Sequence, residues 1–338
     1  MKDTLVRADY AAVLGEAREY VSAGLERVQA IMESVAQSAP GELSRNLQQL
    51  LTRRGKRVRS TFLLLLAQSG GQADAARMER TERVCAAIEL IHLGSLIHDD
   101  IIDGSDLRRN EKTAHQRWGN RTAVLLGDYA LSKAMELIWE DPDRRVPLSL
   151  CRASSALISA EALEVERAGR LDLTLEEYRE VIAGKTAALF EACGECGALI
   201  AGFGPEDSKR AARLGRDFGL AFQIVDDLLD YGVGGDGLDK RPFSDLQNGL
   251  LTLPLILYLT DAAPDAKAHM LAMLSQPQLN GNQADIRSLL DASGAFVRAR
   301  GMALDHVRAG LAFLETLPDT PAASHLRQVC LLMADRSL

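Results

Sequence analysis

The sequence predicts an all-α protein in which many helices form a single bundle. Apolar residues recur at helical spacing along much of the chain, as in the run from Val84 to Ile97. Glycine and proline separate the helical stretches, and no stretch alternates apolar and polar residues as a half-buried strand would. Because 47% of the 338 residues are apolar, the chain can bury a sizeable core. No low-complexity linker interrupts it, so we predict one domain over residues 1–338.

Charge and cysteine usage narrow the class of protein. A net charge of −8 argues against binding nucleic acid by bulk attraction, so any phosphate site must be built from particular lysine and arginine residues. The five cysteines are odd in number and scattered, which fits a reducing cytoplasm better than a disulfide framework. Cys193 and Cys196 have redox or zinc spacing, but they lie in a predicted helix without a second ligand pair. We interpret them as small buried residues.

The sequence contains no signal for a membrane-spanning segment. The residues from Met1 to Thr4 include charges and lack the short apolar core of a signal peptide. No run approaches the roughly 20 apolar residues that cross a bilayer. We therefore expect a cytoplasmic protein.

The first predicted element is an amphipathic helix from about Ala11 to Ala36, which we expect to cover the fold. A basic stretch from Arg53 to Arg59 then opens the next helix. Positive charge adds to the positive end of the helix dipole there, which is unfavourable unless an anion binds, and free backbone N–H groups favour the same anion. The stretch alone leaves two interpretations open, a solvated basic loop and an anion site.

Three aspartates, Asp99, Asp100 and Asp103, close the long apolar helix that contains Val84. Asp99 and Asp103 are four residues apart and share a face. Each carboxylate at a helix C-terminus costs about 0.3–1 kcal/mol through the dipole. Two carboxylates about 4 Å apart repel by about 4 kcal/mol at an effective dielectric constant of about 20. A pattern that breaks local rules this plainly indicates a functional site, and clustered oxygen ligands suit Mg²⁺.

The same pattern recurs at Asp226, Asp227 and Asp230, where Tyr231 and Gly232 end another apolar helix. Asp226 and Asp230 share a face, as Asp99 and Asp103 do in the first motif. A single motif of this kind would favour a solvated acidic helix end. Two copies, each preceded by apolar helix, argue against that interpretation.

Together the two motifs resemble those of the trans-type (all-E) polyprenyl diphosphate synthases, and the resemblance covers nearly the whole chain. The first is followed by Asp106-Leu107-Arg108-Arg109 and the second is preceded by Phe222-Gln223, as in that family. Terpene cyclases share the first motif, but their Asn/Ser/Glu pattern differs from the second motif of this chain. The resemblance is closest to the long-chain bacterial octaprenyl type.

The resemblance implies an isoprenoid-synthase bundle, with helices around a central cavity. It implies head-to-tail trans condensation of isopentenyl diphosphate with an allylic diphosphate, with three Mg²⁺ ions present when substrate is bound. It further implies a homodimer that does not span a membrane. One arrangement of such a protein is peripheral, so that it hands over its product at the membrane surface. Because the net charge is −8, we do not expect nucleic acid to be a partner.

The resemblance also assigns roles to individual residues. Those that would act in catalysis are Asp99, Asp100, Asp103, Asp226, Asp227, Asp230 and Lys185. Those among them that would hold metal are Asp99, Asp103 and Asp226. Those that would bind isopentenyl diphosphate are Lys56, Arg59, His92 and Arg109. Those that would bind the allylic diphosphate are Arg108, Lys185, Thr186, Gln223 and Lys240. Without the resemblance, His92 would be a satisfied core residue and Lys185 a snorkelling side chain.

The loop after the second motif departs from the family pattern. Asp239 and Phe243 stand where the family usually has glycine, and Leu250 stands where it usually has lysine. We therefore expect one phosphate contact to be missing and the loop to close differently. These departures motivate an alternative, a weakly active or non-catalytic subunit of a heteromeric synthase.

Four residues bear on product length. Gly94 and Ser95 lie about one helical turn (about 5.4 Å) before Asp99, and being small they would not block a tunnel there. Ile91 lies a further turn back, and Met135 stands where long-chain relatives often carry Phe. We therefore expect a long product, in the C30–C50 range by resemblance. A farnesyl or geranylgeranyl product is the alternative, and Gly94→Phe is expected to shorten the chain.

Overall fold

The computed structural model describes residues 10–71, 74–108, 111–233, 242–276, 279 and 281–333. The described residues are almost entirely helical, which confirms the all-α prediction. The first half of the chain forms α1 (Tyr10–Tyr20), α2 (Ser22–Gln37), α3 (Gly41–Leu51), α4 (Val58–Ser69), α5 (Ala75–Ile102), α6 (Ala114–Trp118), α7 (Asn120–Trp139) and α8 (Arg145–Arg167). The second half forms α9 (Leu175–Ile182), α10 (Ala188–Ala201), α11 (Pro205–Asp230), α12 (Ser244–Gln247), α13 (Leu253–Asp261), α14 (Pro264–Leu274), α15 (Gln283–Ala292), α16 (Ala295–Leu314) and α17 (Pro321–Leu331).

Two short features interrupt this pattern, and both lie near the aspartate motifs. A π-helical turn, Ala183–Ala187, joins α9 to α10. The strands β1 (Leu107–Arg108) and β2 (Glu111–Lys112) pair antiparallel just after the first motif, with Leu107 opposite Lys112. The sequence analysis anticipated neither feature.

The predicted N-terminal helix is two helices in the structure. The chain leaves helical geometry at Val21, where φ is −100° and ψ is 15°, so α1 and α2 are separate elements. The side chain of Val21 is buried, and the buried face continues on both sides of the bend, with Val13 in α1 and Val28 in α2. The bend lets α1 pack against α17 while α2 packs against α5. The predicted covering role therefore falls to two helices with different neighbours.

The centre of the core is an aromatic cluster between α4, α10 and α11. The ring of Phe190 lies 5.1 Å from that of Phe218 and 6.3 Å from that of Phe62, centroid to centroid. Two glycines allow α10 and α11 to approach at backbone distance. A Cβ on Gly194 would lie 2.1 Å from the carbonyl oxygen of Ala211, and one on Gly215 would lie equally close to that of Phe190. Gly219 extends this contact of α11 to the π-helical turn, since a Cβ there would lie 2.6 Å from the Cα of Ala187.

The cysteines and the helix lengths agree with the sequence analysis. All five cysteines are free thiols, and Cys193 and Cys196 are buried within α10, as predicted. Burial raises the pKa of the Cys196 thiol well above its usual value. None of the described helices has the length and apolarity needed to cross a membrane.

Candidate active site

The first aspartate motif lies where α5 ends. The backbone N–H of Asp103 caps the helix by donating to the carbonyl oxygen of Asp99 at 2.8 Å. Asp99 is buried, whereas Asp103 is exposed. Burial, and then the nearby carboxylate of Glu161, raise the pKa of Asp99 from its ordinary value of 3.8 to about 7, against the opposing charges of Lys185 and Arg108. The first motif therefore contains a buried carboxyl group that lacks sufficient positive charge to stay ionised below neutral pH.

Asp100 has a protein partner of its own. The Arg108 Nε in β1 donates to its Oδ1 at 2.7 Å. Burial raises the pKa of Asp100, and the charge and hydrogen bond of Arg108 lower it. The strand pair thus holds one predicted ligand of the allylic diphosphate, Arg108, beside the first motif.

The second motif lies at the end of α11 and is held from two sides. Asp227 is buried and accepts hydrogen bonds from the hydroxyl of Tyr178 at 2.5 Å and from Gln223 Nε2 at 2.8 Å. Burial, and then the carboxylate of Asp245, raise the pKa of Asp227 to about 8, against these hydrogen bonds. Asp226, the residue predicted to bind metal, is half-buried beside it.

Asp230 organises the start of α12. Its Oδ1 accepts from the Oγ of Ser244 at 2.6 Å and from the backbone N–H of Ser244 at 3.1 Å, and its Oδ2 accepts from the N–H of Asp245 at 3.2 Å. These bonds tie the loop after the second motif back to the motif itself. In this structure Asp100, Asp227 and Asp230 are therefore occupied by protein partners.

The π-helical turn lies between the two motifs. Its Thr186 hydroxyl donates to Gln223 Oε1 at 2.6 Å, which links the turn to α11 and through Gln223 to Asp227. Its Lys185 forms ion pairs in the other direction, with Glu161 at 2.9 Å and with Glu164, both from α8. Consecutive residues of one irregular turn thus connect to the second motif by hydrogen bonds and to Asp99 of the first motif through the charges of Lys185 and Glu161. Local π geometry of this kind is common at functional sites.

Glycine lets α8 approach this turn. A Cβ on Gly184 would lie 2.6 Å from the carbonyl oxygen of Ala156, so a larger residue would force the two elements apart. The approach brings Glu161 and Glu164 to Lys185. Burial is the main cause that raises the pKa of Glu164, and the negative charges of Glu161 and Asp103 raise it as well. Burial lowers the pKa of Lys185, but the two glutamates outweigh it and leave that pKa raised. The sequence analysis missed both glutamates.

The basic loop before α4 contains a second cationic group. Lys56 is exposed in this loop, and Arg59 lies in the first turn of α4 with its guanidinium 4.8 Å from the centroid of the Phe190 ring. Burial lowers the pKa of Arg59, and the carboxylates of Glu89 and Asp226 raise it. The Nε of Arg59 is buried without a hydrogen-bond partner among the described residues. His92 is half-buried on α5, two turns before the first motif.

Comparison with known proteins decides the family. The family model described as Polyprenyl synthetase matches residues 40–292, which is most of the chain. The chain belongs to the polyprenyl synthetase family. This confirms the resemblance that was based on the two aspartate motifs.

Individual family members show how far the similarity extends. The chain is 33% identical to an octaprenyl diphosphate synthase of Escherichia coli over 79% of its length and 81% of the relative. It is 35% identical to a short chain isoprenyl diphosphate synthase of Methanothermobacter thermautotrophicus, over 94% and 97% of the two chains. The structure of a polyprenyl synthase from Caulobacter crescentus, complexed with calcium and isoprenyl diphosphate, superposes with a TM-score of 0.86 at 30% identity, covering 96% and 98%.

The residues of this family member fit a hard divalent cation. Asp99, Asp103 and Asp226 would supply oxygen ligands, and because burial raises the pKa of Asp99 to about 7, a cation beside it would stabilise its ionised form. The Oε1 of Glu161 is also buried without a hydrogen-bond partner among the described residues. No group of three or more side chains in the described part of the chain is preassembled to hold a metal.

The family departures have local consequences in this structure. Phe243, where the family usually has glycine, adopts φ = 64°, in the left-handed region that favours glycine. Its ring is buried and packs at 5.2 Å from that of Tyr231, which offsets the backbone strain. Leu250 is half-buried, and its N–H donates to the carbonyl oxygen of Asp245 at 2.9 Å. Arg109, Asp239 and Lys240 lie outside the described residues.

The residues proposed to set product length do not share one role. Ser95 and Ile91 are buried, and they lie four and eight residues before Asp99 on the same face of α5. Gly94 instead faces α7, because a Cβ there would lie 3.0 Å from both the carbonyl oxygen of Gly127 and the side chain of Leu131. A large side chain at Gly94 would push α5 away from α7, so Gly94→Phe is not a clean probe of a tunnel. Met135 is half-buried on α7.

Proposed function

We propose that this protein is a Mg²⁺-dependent trans-prenyltransferase that condenses isopentenyl diphosphate with an allylic diphosphate and makes a long-chain polyprenyl diphosphate. The observation that carries the proposal is the π-helical turn, where Lys185 and its partner Glu161 both act electrostatically on Asp99, and Thr186 hydrogen-bonds to Gln223, which donates to Asp227. A site with carboxylates on both sides and a lysine and hydroxyl between them suits a metal-bound diphosphate.

We assign the allylic diphosphate to this central site. Lys185, Thr186 and Gln223 contribute a cation, a hydroxyl and an amide there, and Arg108 adds charge from the edge of the first motif. Arginine and lysine at these positions match the chemistry of phosphate oxygens. Mg²⁺ would be held by Asp99, Asp103 and Asp226, and when bound it would supply Lewis-acid stabilisation of the diphosphate leaving group.

We assign isopentenyl diphosphate to the basic loop, with Lys56, Arg59 and His92 as its ligands together with Arg109. In the reaction, the terminal double bond of isopentenyl diphosphate forms a bond to C1 of the allylic substrate. The allylic C–O bond breaks, and its electron pair leaves with the diphosphate, whose charge Lys185 and Arg108 offset. The product then loses a proton, which the departing diphosphate accepts, and a new double bond forms. No side chain has to act as a general base.

We propose a long product because of the small and aliphatic residues on the face of α5 that carries Asp99. Ser95 is small and Ile91 is aliphatic, and both are buried on that face, where we expect an aromatic side chain to end the path of the growing tail. The octaprenyl relative supports this length, while the short chain relative at similar identity supports the farnesyl or geranylgeranyl alternative. Ser95→Phe is the better probe, since Ser95 shares the face of Asp99 and Gly94 does not. We expect this variant to shorten the product by at least one isoprene unit in chromatography of labelled products.

The direct test is incubation of the purified protein with labelled isopentenyl diphosphate, Mg²⁺ and allylic primers of increasing length. We expect diphosphate release and a product series that ends between C30 and C50. A sole C15 product would contradict the long-chain proposal but leave the reaction class intact. No diphosphate release with any primer, and release only after a partner protein is added, would support a non-catalytic subunit of a heteromeric synthase instead.

We further propose a homodimer in the cytoplasm. Most of the exposed large apolar residues of the described chain lie between residues 102 and 165, and Leu125, Trp139 and Ile158 are each more than half exposed on α7 and α8. A second copy of the chain would cover this surface. The free thiols support a reducing compartment. Light scattering of the purified protein should give twice the mass of the 36.7 kDa chain; a monomer that remains active would refute the dimer.

A further inference from the structure

Arg57 lies between two predicted ligands of isopentenyl diphosphate, Lys56 and Arg59, but its own side chain turns into the protein. Its Nη1 donates to Glu89 Oε2 at 2.8 Å, and its Nη2 donates to Gln29 Oε1 at 2.7 Å. The side chains of this ion pair are only 11% and 8% exposed. Arg57 is therefore not available to a substrate in solution, unlike a surface arginine of a basic loop.

The backbone at Arg57 is unusual as well. Its φ is 52° and ψ is 35°, in the left-handed region, and it forms the N-cap of α4. A non-glycine residue in this conformation is strained and persists only where its surroundings hold it. This left-handed residue lies between exposed Lys56 in the loop and half-buried Arg59 in the first turn of α4.

A buried network holds the Arg57 side chain. The second oxygen of Glu89 accepts from the hydroxyl of Ser60 at 2.6 Å. Gln29 passes the network on, since its Nε2 donates to the carbonyl oxygen of Leu51 at 3.1 Å. Glu89, Gln29 and Ser60 are all buried. The network therefore connects α2, the end of α3, the start of α4 and the middle of α5 through one guanidinium group.

The same glutamate acts on Arg59. Burial lowers the pKa of Arg59, and the charge of Glu89 is the first influence that opposes it. Glu89 is thus the common anion of two arginines, one of which it binds directly. A change at Glu89 would disturb both the turn that carries Lys56 and the charge balance of Arg59.

We propose that Arg57 and Glu89 are a positioning pair for the isopentenyl diphosphate site. Arg57 fixes the left-handed turn that places Lys56 and Arg59 for one diphosphate, and does not contact the substrate itself. This inference rests on the proposed function, because it takes Lys56 and Arg59 as the ligands of isopentenyl diphosphate. It predicts that damage to the pair affects one substrate of the reaction and spares the other.

The test compares Arg57→Gly, Arg57→Lys and Glu89→Gln with Arg54→Ala in steady-state kinetics with both substrates. Glycine relieves the left-handed conformation but removes the guanidinium, so Arg57→Gly isolates the network from the strain. Arg54 is an exposed residue of the same loop that pairs with Glu26 on the surface, and it serves as the matched control. Thermal unfolding of each variant reports loss of stability separately.

We expect Arg57→Gly and Glu89→Gln to raise the KM for isopentenyl diphosphate by about tenfold to a hundredfold, the range for loss of a charged hydrogen bond that orients a ligand. The KM for the allylic diphosphate should change by less than about twofold, Arg57→Lys should restore part of the loss, and Arg54→Ala should behave as wild type. Equal increases in both KM values, or an unchanged KM for isopentenyl diphosphate, would overturn the positioning role.

If Arg57→Gly and Glu89→Gln do not fold, Ser60→Ala is the replacement, because it removes one donor to Glu89 with less disruption. We then expect the KM for isopentenyl diphosphate to rise by less than in those two variants, and the KM for the allylic diphosphate to stay unchanged. If Ser60→Ala leaves that KM unchanged, the inference is wrong. A wild-type protein that fails to condense the two substrates would refute the proposed function itself, which separates that failure from failure of the pair.

Discussion

Asp99→Asn should stabilise the metal-free protein while it abolishes prenyl transfer. Asp99 is buried, and its pKa in the folded protein is about 7, against 3.8 for the ordinary group. The folded state therefore holds the proton more tightly than the unfolded state, and stability falls as pH rises from about 4 to about 7 and then levels. At 1.36 kcal/mol for each unit of pKa, the full cost of ionising Asp99 is about 4 kcal/mol.

Asparagine has nearly the same shape and no charge, so the variant escapes this cost. We expect a gain of about 4 kcal/mol at pH 8 and about 2 kcal/mol at pH 5, since at pH 5 only part of the difference in proton binding has developed. The gain should disappear below about pH 4, where both states of the wild type are protonated. Urea unfolding in a chelating buffer at the two pH values measures it.

Asp103→Asn is the matched control, because Asp103 belongs to the same motif but is exposed, and it should show little gain. Adding Mg²⁺ with inorganic pyrophosphate should stabilise the wild type and should stabilise Asp99→Asn far less. If Asp99→Asn is no more stable than wild type at pH 8, or if its gain is the same at pH 5 and pH 8, the description of the first motif as a buried carboxylate short of positive charge is wrong.

The remaining predictions concern the supports of the site. Glu164→Gln should raise the KM for the allylic diphosphate about threefold to tenfold and leave that for isopentenyl diphosphate unchanged, because one of the two anchors of Lys185 is lost; equal effects on both substrates would contradict this. Phe243→Gly should relieve about 1–2 kcal/mol of strain but lose about 3–5 kcal/mol of ring burial, so urea unfolding should show net destabilisation, and a more stable variant would refute that balance. Tyr178→Phe should destabilise the fold by about 1–3 kcal/mol because buried Asp227 loses a donor; an unchanged unfolding midpoint would argue against that hydrogen bond.

The sequence predicted the aspartate motifs because they break a local rule that can be seen without a structure. Acidic residues at the C-terminal end of an apolar helix conflict with both the dipole and the burial pattern. Glu161 and Glu164 break no such rule, since glutamates three residues apart on an amphipathic helix are ordinary. Only the close packing of α8 on the π-helical turn, which Gly184 allows, brings them to Lys185.

Similar limits apply to Gly94 and Arg57. The smallness of Gly94 could be explained from the sequence by an open tunnel, but it is required by contact with α7, more than 30 residues later in the chain. Arg57 looked like its basic neighbours because nothing in the sequence shows that its backbone is left-handed and its side chain is buried. At Phe243 a signal did exist, since the family glycine already indicated a positive φ that the structure contains.

The most direct test of the account is a crystal structure with Mn²⁺, an anomalous scatterer that replaces Mg²⁺, and a non-reactive allylic diphosphate analogue. The account predicts metal ions bound by Asp99, Asp103 and Asp226 and shared with the diphosphate, with Lys185 in contact with that diphosphate. Metal absent from both aspartate motifs, or a diphosphate bound away from the π-helical turn, would contradict it.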